Sequence, residues 1–209
     1  MRARAASAAV LALLVVPLPA RAQGDDGVYG RMDGDVGLEL SAGAAIARSS
    51  PAAMATVAAR YMQVAGVYAT YLDDFRSSGV RTSSRSGSLG IEFRPLFIPR
   101  LSTNVERGPA AADLLLDSIG LRMGAVVSRN SGYEWLAPGF EVGLSLGLPL
   151  SSHAAGLWLQ AGAMLRVSQQ SIAYEAAGRT DRYALFSLCL AWQSIVDLHL
   201  VDSGDRLHR

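Results

Sequence analysis

Eight charged residues are the first candidates for chemistry: Glu39, Arg60, Glu92, Arg94, Arg122, Glu141, Arg166 and Asp197. They comprise four acids and four bases, spread along the chain and set among glycine, serine and alanine. Isolated charges in a narrow interior are costly unless each finds a partner, so mutual salt bridges are the reading we adopt. The alternative is a charged constriction in a conducting pore. Catalysis has poorer support. A hydrolase would need a serine, a histidine and a carboxylate brought together, whereas Ser151, Ser152 and His153 are merely adjacent in sequence. His199 and His208 lie near the carboxyl end, and no histidine or carboxylate pair has metal-ligand spacing. Cys189 is the single cysteine, which excludes an internal disulfide and reads as a small packing residue. Gly143 and Gly147 lack phosphate-loop spacing before a helix. The sequence therefore predicts no catalytic residue, no cofactor and no metal.

The elements that must hold these charges alternate with period two, the signature of strands with two unlike faces. Leu38, Leu40, Ala42, Ala44 and Ile46 oppose Gly37, Glu39, Ser41 and Gly43. A long segment from Ala53 to about Leu72 places Val57, Ala59, Tyr61, Ala65, Val67 and Tyr71 against Thr56, Arg60 and Thr70, and a bulge is expected near Gln63. Leu89, Ile91 and Phe93 oppose Ser88, Gly90, Glu92 and Arg94, and Pro95 and Pro99 mark a frayed strand end. Thr103 to Ala112 reads as a loop, with Gly108-Pro109 able to start a short helix over residues 110–116, although a strand beginning near Leu115 fits equally.

Further on, Leu121, Met123, Ala125 and Val127 alternate with Gly120, Arg122 and Gly124. Phe140 to Leu148 opposes Glu141, Gly143, Ser145 and Gly147, and Leu157 to Val167 follows with Gln160, Gly162 and Arg166 on its other face. Ala184 to Trp192 forms a seventh strand, and Val196, Leu198 and Leu200 a last short eighth opposite Asp197 and His199. No crossover helices separate these strands, so an antiparallel meander is expected, closed so that no edge is left unpaired.

Of the 209 residues, 50% are hydrophobic and 18% charged, which excludes a disordered chain, and 19 basic against 18 acidic residues leave no footprint for nucleic acid. Every basic residue is arginine. Arg2 and Arg4, an apolar run from Ala5 to Val16 and Ala20-Arg21-Ala22 read as a secretory signal peptide, residues 1–22, ahead of one domain, residues 23–209. Its removal would leave 16 basic and 18 acidic residues.

The polar face is too small and too poorly charged for the outside of a soluble sandwich. It suits the interior of a narrow lipid-embedded barrel whose leucines meet hydrocarbon. Tyr68, Tyr71, Phe75, Phe93, Tyr133, Trp135, Phe140, Trp158, Tyr183 and Trp192 are candidates for two interfacial girdles.

With the signal peptide Arg2 to Ala22 and the segments Phe140 to Leu148 and Leu157 to Val167, the chain resembles the small outer-membrane β-barrel proteins of Gram-negative bacteria. The resemblance implies an all-β, closed, antiparallel, up-and-down transmembrane barrel of about eight strands. It also implies the outer membrane as its address, and outer-membrane lipid and the barrel-assembly machinery as partners. Such barrels usually end on an aromatic residue, whereas this sequence ends Leu207-His208-Arg209. The expected role is non-enzymatic, structural or binding, through the connections Asp73 to Ser84, Thr103 to Ala112 and Gln169 to Asp181. Alternatives are a soluble periplasmic barrel holding an apolar ligand and a lipid-modifying barrel enzyme.

Overall fold

A computed structural model describes residues 28–31, 33–47, 50–74, 83–103, 109–130, 136–168 and 182–198. Strands β1 (Val36–Ala47), β2 (Ser50–Tyr61), β3 (Ala65–Asp74) and β4 (Ser83–Phe93) are followed by helices α1 (Phe97–Thr103) and α2 (Ala110–Asp117). Strands β5 (Gly120–Asn130), β6 (Leu136–Pro149), β7 (Gly156–Ser168) and β8 (Arg182–Val196) follow, and a short 3-10 turn, Val28–Gly30, precedes β1. Each strand pairs antiparallel with its sequence neighbour, and β1 pairs with β8 from Val36↔Val196 to Ala47↔Leu185, closing the barrel. Closure satisfies every strand edge within the chain, which an open sheet of this length would not.

The strand count of eight arises differently from the sequence expectation. The long segment Ala53 to Leu72 is two strands, because the chain reverses at Met62-Gln63 instead of bulging. Both residues have positive φ, 46° and 58°, and the Val64 amide donates to the Tyr61 carbonyl at 3.0 Å, a tight turn inside the three-residue connection between the paired Tyr61 and Ala65. That turn ordinarily carries asparagine or glycine, so nothing in its residue types announced it. Conversely, no strand forms over Val196 to Leu200 among the described residues: β8 ends at Val196, and Asp197 and Leu198 are irregular.

Helix α1 replaces what the prolines suggested was a frayed strand end. Pro99 is its third residue, within the first turn, where the missing amide donor costs nothing. Helix α2 starts after Pro109, which is extended (φ −65°, ψ 139°), and runs to Asp117, so the strand starting near Leu115 is not formed. Both helices lie between β4 and β5, at the end where β1 starts and β8 finishes, here called the proximal end. The connections β1–β2, β3–β4, β5–β6 and β7–β8 lie at the opposite, distal end.

Side-chain parity divides the wall cleanly. Leu38, Val57, Val67, Leu89, Ile91, Met123, Leu144, Leu165, Phe186 and Leu190 point outward and are exposed, whereas Glu39, Arg60, Glu92, Glu141 and Arg166 point inward and are buried. Leu89 is 65% exposed and Arg60 only 1%. This is the inverse of a soluble protein, where large apolar residues fill the centre.

Candidate functional site

The lumen gathers seven of the eight charges singled out in the sequence. Near the proximal end Glu92 on β4 is the hub. It accepts from Arg60 Nε at 2.8 Å, from Arg122 Nε at 2.7 Å and from Arg94 Nε at 3.1 Å. Arg60 Nη2 also lies 2.7 Å from Glu39 Oε2, and Arg122 Nη2 lies 4.0 Å from Glu39 Oε1. Three guanidinium groups thus share two carboxylates in a space closed to water. Arg94 extends the cluster to Gln63, whose Oε1 accepts from Arg94 Nη1 at 3.4 Å and from Gln193 Nε2 at 2.9 Å. These bonds hold the unusual turn at Met62-Gln63 against the barrel interior.

A second cluster sits farther along the axis. Glu141 accepts from Arg166 Nε at 2.7 Å and from the Tyr68 hydroxyl at 2.9 Å, and Arg166 Nη1 donates to Ser86 Oγ at 2.8 Å. Tyr68 on β3 reaches Glu141 on β6 by lying across β4 and β5. It can do so because Gly90 and Gly124 have no side chain: a Cβ on either would come within 2.9 Å of the tyrosine ring or hydroxyl. The Arg122 guanidinium, 5.1 Å from the Tyr68 ring centroid, links the two clusters.

Asp197 does not enter the lumen. It is exposed one residue past β8, because the strand that would have turned it inward does not form. The aromatic residues also divide. Tyr71, Phe93, Phe140 and Trp192 face outward, joined by Tyr61 and Phe186, but Tyr68 and Trp158 are buried inside and Tyr183 packs against the inner apolar cluster. Phe75, Tyr133 and Trp135 lie outside the described residues. Parity alone would have placed Tyr68 inside, since it stands two residues before Thr70, whose hydroxyl bonds Thr56 at 3.0 Å.

The two ends of the lumen are filled differently. At the proximal mouth, Leu114 of α2 packs with Ala154, Trp158 and Ala191, and Trp158 Nε1 donates to the Ala154 carbonyl at 2.9 Å. Ion pairs join this lid to the preceding segment and to itself: Arg31 with Asp117, Arg100 with Asp113, and Arg100 Nε with Asp117 Oδ1 at 2.8 Å. Partial burial alone would lower the Arg100 pKa, but the two carboxylates hold it above its ordinary value. Ser118 ties α2 to β6, its Oγ accepting from the Gly147 amide at 2.8 Å. The helix offered by the sequence over residues 110–116 is formed as α2, but its place over the mouth and the pairing of Asp113 and Asp117 were not legible, because these residues fall in a stretch with no strand alternation. Toward the distal end, Ala45, Ala47, Ala52, Met54, Leu72, Met164, Leu185 and Cys189 form an apolar cluster inside the barrel.

Among solved structures, that of Neisserial surface protein A is similar at 12% sequence identity and a TM-score of 0.40, covering 78% of this chain and 97% of that one. No family model matches the chain, and no curated protein matches it.

The chemistry open to this arrangement is limited by its own pairing. Glu92 and Glu141 are engaged by arginines, and Cys189 is buried among apolar side chains. In the β6–β7 turn, Ser151 Oγ contacts the His153 backbone, at 3.3 Å to its carbonyl and 3.5 Å to its amide, while His199 and His208 lie outside the described residues. No group of three histidine, cysteine, aspartate or glutamate side chains able to hold a metal occurs among the described residues.

Proposed function

We propose that this chain is a non-enzymatic outer-membrane β-barrel with a closed lumen. The observation that carries the reading is the pairing of an exposed apolar wall with a buried ionic interior, as in Leu89 and Ile91 outside beside Glu92 inside. Water would oppose exposure of the first face, which hydrocarbon suits, and mutual ion pairing offsets the desolvation of the second. The two aromatic groups support it. Tyr61, Phe93 and Trp192 stand toward the proximal end and Tyr71, Phe140 and Phe186 toward the distal end, as interfacial girdles would. Paired charges, the lid and the inner apolar cluster together favour closure over conduction.

The role is structural or binding. Since α1 and α2 fold over the proximal mouth, contact with partners falls to the distal connections, Asp73 to Ser84 and Gln169 to Asp181. Outer-membrane lipid and the barrel-assembly machinery are the partners such a chain requires. Membrane fractionation combined with gel migration before and after boiling tests the reading. The protein is expected with the outer membrane, migrating faster unboiled than boiled. Recovery with the soluble periplasm would favour the soluble barrel instead.

A further inference from the structure

The outward wall is not uniformly bulky. On β2 and β3, Ala59 and Ala69 stand where neighbouring strands carry leucine, valine or tryptophan, and a groove of about 390 Å³ opens over them. The register fixes its shape. One cross-strand row runs Trp192, Leu40, Val57, Ala69, Leu89, and the next runs Ser194, Leu38, Ala59, Val67. Trp192 and Leu40 form one bank and Leu89 the other, with the two alanines between them. Leu38 is two residues from the start of β1 and Ser194 two residues from the end of β8, so the groove reaches the proximal rim. There it meets its few polar atoms: Trp192 Nε1 donates to Ser194 Oγ at 3.2 Å, and Tyr61 stands on the adjacent row.

We propose that this groove holds one acyl chain of a phospholipid from the leaflet at the proximal end. The inference rests on the membrane reading above and goes beyond it by separating one bound lipid from the bulk. Three features point to an acyl chain. The groove is continuous with the apolar band, its lining is aliphatic apart from Trp192, Ser194 and the inward-pointing Glu39 and Tyr68, and its polar edge lies at the rim, where a glycerol ester would sit. Its volume falls within the roughly 300 to 1,000 Å³ range of small-molecule sites. Within a bilayer no hydrophobic transfer drives such binding, so selection over bulk lipid comes from dispersion contact on three sides of the chain instead of one.

The test uses the full chain reconstituted with palmitoyl-oleoyl phosphatidylethanolamine, extracted into mild detergent, washed, and analysed by native mass spectrometry. About one lipid should stay bound, and Ala69→Phe or Ala59→Leu, which fill the groove, should reduce retention about tenfold, the effect of losing roughly 1.4 kcal/mol. Ala125→Phe, on the outward face of β5, should leave retention unchanged. Faster migration before boiling identifies variants that keep the fold. Should neither groove variant fold, the wild type decides alone: palmitoyl-oleoyl phosphatidylglycerol should displace the bound lipid, and a dihexanoyl analogue, too short to fill the groove, should not. Absence of retained lipid, equal retention in folded groove variants and wild type, displacement by the short analogue, or a second copy of the chain in place of lipid would each overturn the proposal. A membrane-integral protein without retained lipid defeats this inference alone. A protein that fractionates as soluble defeats the membrane reading as well.

Discussion

At the scale of residues, the ionic interior is held by partnership. Removing one member of a buried pair leaves the other charged and desolvated, at a cost of about 3 to 5 kcal/mol, whereas replacing both with apolar residues of similar volume is often near neutral. Glu141→Leu should therefore destabilise the barrel by about 3 kcal/mol in urea unfolding from lipid vesicles, and adding Arg166→Met should recover much of the loss. Equal destabilisation by the single and double replacements would show that the pair is not what stabilises this layer. Tyr68 offers a second check. Gly124→Ala places a methyl group against its hydroxyl and against the β4 backbone, and should cost about 1 to 3 kcal/mol by the same assay. The charges were legible in the sequence because each falls on the small-residue parity of its strand. Asp197 was misplaced because that parity was extended past the last strand, and the Tyr68 bridge was missed because Tyr68 was grouped with the girdle aromatics although its parity with Thr70 puts it inside.

At the scale of elements, two features break the pattern of the wall. The first is the hairpin turn at Met62-Gln63, where two residues with side chains adopt positive φ. Such a conformation costs a non-glycine residue about 1 to 2 kcal/mol. Gln63 is held there by Arg94 and Gln193, but Met62 is only half-buried, so Met62→Gly should raise stability by about 1 kcal/mol in urea unfolding. No gain, or a loss, would mean that the methionine side chain contributes packing that outweighs the strain. Alternation resumes on the same parity beyond Gln63, the residue that interrupts it, which is why a bulge within one strand was expected where a turn between two exists. The second feature is the lid. Its short helices carry prolines and isolated aspartates, and they become intelligible only when Asp113 and Asp117 are seen against Arg100 and Arg31. Leu114→Ala should destabilise the lid's packing against Trp158 by about 2 to 5 kcal/mol, read as increased amide exchange over residues 110–117 with less change in the strands.

At the scale of the whole molecule, closure by β1 and β8 and strict side-chain parity produce one object: a cylinder greasy outside, ionic within, capped at one mouth and packed with apolar side chains toward the other. Class and closure were legible because period-two alternation persists through strands that follow one another without crossover helices, and such strands exhaust their edges only by meeting. Inserted in a planar bilayer, the protein should give no steady conductance, and sustained current steps would show that the lumen opens. The orientation of the wall is the claim on which the rest depends. Its most direct measurement places an environment-sensitive fluorophore at Leu144→Cys, in a Cys189→Ala background, in lipid vesicles. Quenching by spin labels on acyl chains, with protection from an aqueous quencher, is the predicted result. Quenching from the aqueous phase alone would contradict it.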